Sequence, residues 1–460
     1  MRKFLSLSLI LICIMTMFTV NANAVGFEFN FERDDEKVQL TTDTLLMISL
    51  DTGDVIFDKN GSEKRYPASI TKIMTYCVVV DKIKDFNTKV PIKEELIDQL
   101  AGTDSSLAGL EYHIGGEMTV KDLLYCLMVS SGNDAALALA DYVGGSEAEF
   151  VKMMNDKAKE LGCNDTHFEN SHGLHNDNHY TTAYDIVKIT KHALSLPMFE
   201  EITGTTEYYC EGDTYPIVTT NFMIDENRGG LYYYRYAKGI KTGSTDAAGK
   251  CLVSTAVYNG YTYLIVALKA PSDAGYNYAM IDSANLYRWA FLGFELYPVA
   301  TSATPICEQK IDLAWKKSGV VLTSEVNYST ILPNGVQDSD ITIEPHIAEI
   351  VDAPIQKGQV LGTADVYYKD KFIKTINLVS SETVERSWVM VVLRELESLV
   401  TNVKFLIGAS VVIFLFMVFI IVMTSYKKKK NRQRYLENRR RMAATGDTKE
   451  TVNTKEKTKV

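Results

Sequence analysis

The sequence has no C-x-x-C pair, no H-E-x-x-H and no internal repeat. Without C-x-x-C, the six cysteines that follow Cys13 (Cys77, Cys126, Cys163, Cys210, Cys251 and Cys307) read better as small buried thiols than as three bridges. Without H-E-x-x-H, the group His172, His175, Asp177 and His179 falls in an Asn- and Gly-rich loop. Loop histidines there need no metal, and neither metal nor cofactor is expected. The body of the chain is also short of basic charge. Residues 25–426 hold 33 Lys/Arg against 54 Asp/Glu, a net of −21. Such an acidic body argues against nucleic acid as a partner.

Basic charge is concentrated at the ends instead. Arg2-Lys3 precede an apolar run, Phe4–Val20, and Ala22-Asn23-Ala24 supplies a cleavage site, so 1–24 reads as a signal peptide rather than a first anchor. Near the other end, 405–426 is a run of 22 residues without a charge, long enough to cross a bilayer as a helix. Residues 427–460 then carry 13 Lys/Arg against 4 Asp/Glu. Basic residues mark the cytoplasmic side, which makes 427–460 a cytoplasmic tail and places the body outside the cell.

In between, Leu45–Leu50 and Asp54–Asp58 form a hairpin through Asp51-Thr52-Gly53. Residues 27–41 read as a short linker ahead of it. Helices are predicted after Pro67, after Thr119 as N-cap, from Asp134, over 146–161, 182–195 and 277–293. Lys250–Tyr258 and Thr262–Ala270 form a second hairpin around Asn259-Gly260. The pattern is α+β, an antiparallel sheet with helices packed on it, over 27–296. A boundary near Pro298 and Pro305 leads to a small β-rich domain, 300–386, and 387–404 is a juxtamembrane segment.

Three polar clusters stand out: Ser69-x-x-Lys72, Ser131-Gly132-Asn133 and Lys241-Thr242-Gly243. On a helix, Ser69 and Lys72 lie one turn apart on one side, where a lysine can deprotonate a serine. Singly, each cluster is weak. S-x-x-K recurs at Ser425–Lys428 and S-x-N at Ser283–Asn285. A lone serine–lysine pair is usually a solvated face. The specific signal is all three in this order, 61 and 108 residues apart.

This set resembles the penicillin-binding and serine β-lactamase superfamily. Within it the chain is similar to low-molecular-weight penicillin-binding proteins, the serine-type D-alanyl-D-alanine carboxypeptidases. Tyr66–Ser69, Ser130–Ala136, Phe168–Leu174 and Gly239–Thr245 carry that finer likeness. The resemblance implies a catalytic Ser69, Lys72 and Ser131, and substrate contacts from Asn133, Lys241, Thr242 and Gly243. It implies an oxyanion hole from the backbone N–H groups of Ser69 and Ser244. The implied substrate is a peptidoglycan stem peptide ending in D-Ala-D-Ala, with β-lactams as covalent inhibitors. Lys72 must then be neutral, and burial and the facing Lys241 are the expected causes. Two alternatives remain at this stage. Glu169 could make the enzyme a β-lactamase, and a non-catalytic wall receptor could use the same scaffold. Tyr232–Tyr234 and Tyr236 could stack on sugar rings, although strand packing explains them equally well.

Overall fold

Leu45-Leu46-Met47-Ile48 is an unbroken apolar run because both faces of its strand are buried. The computed structural model describes residues 27–33, 36–272 and 275–444. The expected leader, 1–24, and the threonine-bearing end of the tail, 445–460, lie outside them. Strands β1 (Thr44–Ser49), β2 (Val55–Lys59), β3 (Ala237–Thr245), β4 (Gly249–Tyr258) and β5 (Tyr261–Ala270) form one antiparallel sheet in the order β2-β1-β5-β4-β3. Strand period 2 divides its side chains between two cores. Leu46, Ile48, Leu264 and Val266 enter one, while Leu45, Met47, Tyr263 and Ile265 enter the other. Asn259 and Gly260 both take positive φ (51° and 84°), which is what a tight hairpin of this hand requires.

The first core is covered by α1 (Lys72–Lys82), α2 (Val120–Met128), α3 (Asn133–Gly144), α4 (Glu147–Glu160) and α5 (Ala183–Leu194). Hydroxyl caps start three of them: Thr119, Ser146 and Thr182 accept from the N–H groups of Asp122, Glu149 and Asp185. The second core is closed by α6 (Tyr278–Gly293), and here the linker reading of 27–41 fails. Phe29 packs against Trp289 at 5.5 Å and Phe27 against Phe294 at 4.9 Å, and the Phe27 N–H donates to the Ile56 carbonyl at 3.0 Å. The alternating phenylalanines make this segment part of the fold. Nor does the tyrosine stretch form a strand: Gly230–Tyr232 is a 3-10 turn and β3 starts only at Ala237.

After Pro305 the chain is all-β as expected, in short strands from Cys307–Asp312 to Lys371–Ser380. The described chain divides into two compact units. The first holds everything up to Cys307 together with Leu322–Ile347 and Val360–Val379. In it, β6 (Phe294–Ala300) pairs with β7 (Tyr328–Pro333), and the Thr330 hydroxyl donates to Asp54 at 2.6 Å. The second unit holds Glu308–Val321, Ala348–Gln359 and the chain from Ser380 on. There Arg394, on α7 (Trp388–Thr401), grips Asp352 with two parallel bonds of 2.8 and 2.9 Å. Helix α8 (Val403–Ala444) is long and apolar enough to cross a membrane. Its apolar stretch ends at Lys427 but the helix continues, because lysine and arginine are good helix formers.

Candidate active site

Ser69 lies in a 3-10 turn, Ala68–Thr71, that runs into α1 at Lys72. Ala68 is left-handed (φ 49°), a strain on the order of 1–2 kcal/mol for a residue with a Cβ. A hydrogen-bonded chain holds the turn. The Thr71 hydroxyl donates to the Ala68 carbonyl at 2.8 Å, and His179 Nε2 lies 2.9 Å from the same hydroxyl. His179 Nδ1 accepts from the Glu169 N–H, so its proton sits on Nε2 and points at Thr71.

Lys72 is fully buried. Its Nζ lies 3.0 Å from Ser69 Oγ, 2.6 Å from Asn133 Oδ1 and 2.7 Å from the His172 carbonyl. The last two partners can only accept. A neutral amine has two hydrogens and one lone pair, so with both hydrogens engaged its lone pair faces the Ser69 hydroxyl. Burial is the main cause of a Lys72 pKa far below the ordinary lysine value, and the Lys241 ammonium adds to it, against Asp134. Lys241 is also buried and is pushed down to about 7 by burial. Both lysines are therefore shifted toward the neutral form by burial.

The other predicted residues come from one loop, the start of α3 and one edge strand. Ser131 is buried and left-handed (φ 64°), and its hydroxyl makes no hydrogen bond among the described residues. The Cys126 carbonyl fixes that loop, accepting from Ser130 Oγ and the Gly132 N–H, both at 2.9 Å. Asn133 Nδ2 donates to Ser105 Oγ at 2.9 Å, which leaves Oδ1 for Lys72. Lys241 pairs across the sheet with Val253, a residue of the helix-side core, and so faces the α1 side. Thr242 Oγ1 meets Thr220 Oγ1 at 2.6 Å, and Ser244 Oγ accepts from Lys250 at 3.0 Å. Sequence reasoning missed the His172 carbonyl, His179, Ser105 and Thr220. Glu169, the deacylation candidate of the β-lactamase alternative, has its Oε1 3.0 Å from His167 Nε2.

Gly243 shows how closely β3 approaches the serine. A Cβ there would lie 3.0 Å from the Pro67 carbonyl and 3.1 Å from the Ser69 N. Both are backbone atoms and cannot swing aside. Gly243→Ala is expected to displace the Ser69 turn and slow acylation by labelled penicillin about 10²-fold, with the protein still folded. Wild-type acylation rates in this variant would refute the close approach.

Burial pushes both His172 and His179 down to about 3, so both are neutral at pH 7. In the unfolded chain they titrate near 6.5. Between those values the unfolded state binds more protons, so stability falls as pH drops from about 6.5. We expect the melting temperature to fall over that range, and a shallower fall in His179→Gln. An identical pH slope in the variant would count against the neutral His179.

The described residues contain no group of three or more His, Cys, Asp or Glu that could hold a metal. Five of the cysteines are buried free thiols and Cys307 is half-buried. Residues 31–272 match the D-alanyl-D-alanine carboxypeptidase family, and 307–386 match the C-terminal domain of penicillin-binding protein 5. D-alanyl-D-alanine carboxypeptidase DacF of Bacillus subtilis is 34% identical over 321 residues, covering 69% of this chain and 79% of its own. D-alanyl-D-alanine carboxypeptidase DacA of Haemophilus influenzae is 30% identical, covering 74% and 84%. Among solved structures, penicillin-binding protein 5 from Haemophilus influenzae superimposes with a TM-score of 0.63 at 27% identity, covering 76% of this chain and 99% of its own.

Proposed function

The chain belongs to the D-alanyl-D-alanine carboxypeptidase family of penicillin-binding serine hydrolases, and we propose that Ser69 is its nucleophile, Lys72 its general base and Ser131 its proton relay. The observation that carries this is the arrangement at Lys72 Nζ, with two fixed acceptors and Ser69 Oγ at 3.0 Å. Ser69 Oγ attacks the carbonyl between the two terminal D-alanines as Lys72 takes its proton. The developing oxyanion meets the N–H groups of Ser69 and Ser244. Ser131, whose hydroxyl has no hydrogen-bond partner among the described residues, passes a proton to the departing D-alanine amine. Water then attacks the acyl-enzyme, its proton goes to the base, and Ser69 leaves as a hydroxyl. Asn133 orients Lys72 and holds the substrate amide, and Gly243 admits the substrate backbone to β3.

Lys241 and Thr242 hold the terminal carboxylate. A buried ammonium at about 7 is destabilised until an anion joins it, so carboxylate binding restores its charge. This favours substrates with a free C-terminus. Against the β-lactamase alternative stand the family match over 31–272 and the added C-terminal domain over 307–386. The basic residues after 426 favour a membrane orientation with the tail in the cytoplasm and the catalytic part outside, where wall peptides are.

The test is mass spectrometry of a synthetic pentapeptide ending in D-Ala-D-Ala, beside labelled penicillin. Loss of one terminal D-alanine and a stable adduct on Ser69 are expected. An unchanged peptide with no adduct under denaturing conditions would sink the assignment. Rapid release of hydrolysed penicillin would favour the lactamase.

A further inference from the structure

The buried cysteines are not alike. The Cys163 thiol donates to the Asp185 carbonyl at 3.6 Å, Cys251 to the Ala248 carbonyl at 3.6 Å and Cys77 to the Ile189 carbonyl at 4.0 Å. Each of these three is a small buried group with a backbone partner. Cys126 and Cys210 differ. Their sulfurs face each other at 3.6 Å although 84 residues separate them in the chain, and neither side chain has another hydrogen-bond partner among the described residues. Both are thiols, and a bond between them needs the sulfurs to close by only about 1.5 Å.

The contact belongs to a fixed packing of α2 against a short hairpin, Glu207–Tyr208 with Ile217–Val218. Tyr125 of α2 stacks on Tyr208 at 3.6 Å, and the Tyr208 hydroxyl donates to Asp122 Oδ1 at 2.7 Å. Just beyond the hairpin, the Thr220 N–H donates to the Val129 carbonyl at 3.1 Å. The two sulfurs do not share one environment. Cys126 is held well above the ordinary thiol value, first by its hydrogen bond to Cys210 and then by burial, so it is a poor group to start an exchange. Cys210 lies between exposed Tyr209 and exposed Glu211, at the outer side of the contact.

We propose that Cys126 and Cys210 are a disulfide-forming pair, closed by exchange with a small disulfide outside the cell into a bond that staples the hairpin to α2. The Cys210 thiolate attacks one sulfur of the external disulfide, whose S–S bond breaks, and one external thiol leaves with the Cys210 proton. Cys126, giving up its own proton, then attacks the Cys210 sulfur of the mixed disulfide, and the second external thiol leaves with that proton. Two protein thiols are oxidised to one disulfide while one external disulfide is reduced to two thiols. The location rests on the proposed orientation, with the body outside the cell, where disulfides persist. The staple lies behind the catalytic loop. The Cys126 carbonyl holds Ser130 and Gly132, and the hairpin leads to Thr220, whose hydroxyl meets Thr242.

The test is incubation of the full chain in detergent with oxidised glutathione just below its melting temperature, where burial no longer shields the thiols. Alkylation under denaturing conditions and peptide mapping without reductant follow. A peptide pair joined through Cys126 and Cys210 is expected, with Cys77, Cys163 and Cys251 alkylated. The oxidised chain should melt roughly 5 °C or more above the reduced one, because the closed loop restricts the unfolded state. Cys126→Ala and Cys210→Ala should each lose the joined peptide and the gain in melting temperature, while Cys163→Ala should keep both. Cys210→Ala should still be acylated by labelled penicillin, which shows it folded and keeps this test apart from that of the serine mechanism. The incubation is independent of which side of the membrane the chain occupies in the cell. Full alkylation of Cys126 and Cys210 after it would overturn the proposal. So would a bond from either to a different cysteine, or equal melting temperatures for the oxidised and reduced chains.

Discussion

Ser69→Ala is expected to abolish the penicillin adduct and to lower pentapeptide turnover on the order of 10⁴-fold or more, since no other group in the site can form the covalent intermediate. The fold should survive. The Ser69 hydroxyl is half-exposed and its side-chain partner is Lys72 Nζ, so the variant loses one hydrogen bond, about 1 kcal/mol. A melting curve close to wild type beside a dead enzyme is therefore the predicted pair of results. The same variant separates catalysis from a receptor role. If Ser69→Ala cells show the full biological effect of the wild type, the protein acts as a receptor and the enzyme reading fails.

The second large effect is at Lys72. Lys72→Met keeps the bulk of the side chain but removes the base, and should slow acylation about 10²- to 10⁴-fold. The pH profile of the wild type is more telling. A lysine of ordinary pKa would make acylation rise about tenfold for each pH unit between 7 and 9. With Lys72 held well below that value, the acid limb should lie at lower pH than an ordinary lysine would place it. Lys241→Gln removes the facing cation, so Lys72 regains basicity and the acid limb moves to higher pH. Comparing the position of the limb separates this effect from any loss of carboxylate binding. A wild-type rate that climbs tenfold per unit from pH 7 to 9 would mean that Lys72 is not the depressed base described here.

Much of this site was legible because its chemistry is tied to residue type and short spacing. Serine and lysine three apart on a helix meet by geometry, and Lys72 does approach Ser69. The caps at Thr119 and Ser146 were readable for the same reason. What could not be read acts through the backbone or through distant loops. Any residue could offer the carbonyl that His172 gives to Lys72, and nothing local connects His179 to Thr71, 108 positions away. The misread linker is a different case. Phe27, Phe29 and Phe31 alternate with polar residues, a half-buried pattern that was visible but was outweighed by the surrounding charges. At α8 the charges told where the apolar stretch ends and said nothing of where the helix does.

The pairing of β1 with β5 sets a timetable for synthesis. Ser49 finds its partner in Tyr263, 214 residues later in the chain. At 5–20 residues per second, that interval is roughly 10 to 40 s. Throughout it, the apolar faces of α1, α2 and α3 exist without the sheet they are meant to cover. Lys241, which arrives late on β3, is likewise missing, so a nascent chain carries Ser69 and Lys72 long before it carries a working pair. Long-range pairing of this kind folds slowly and leaves sticky surface exposed. A chain built this way has apolar surface to keep apart from other chains until its last strands arrive.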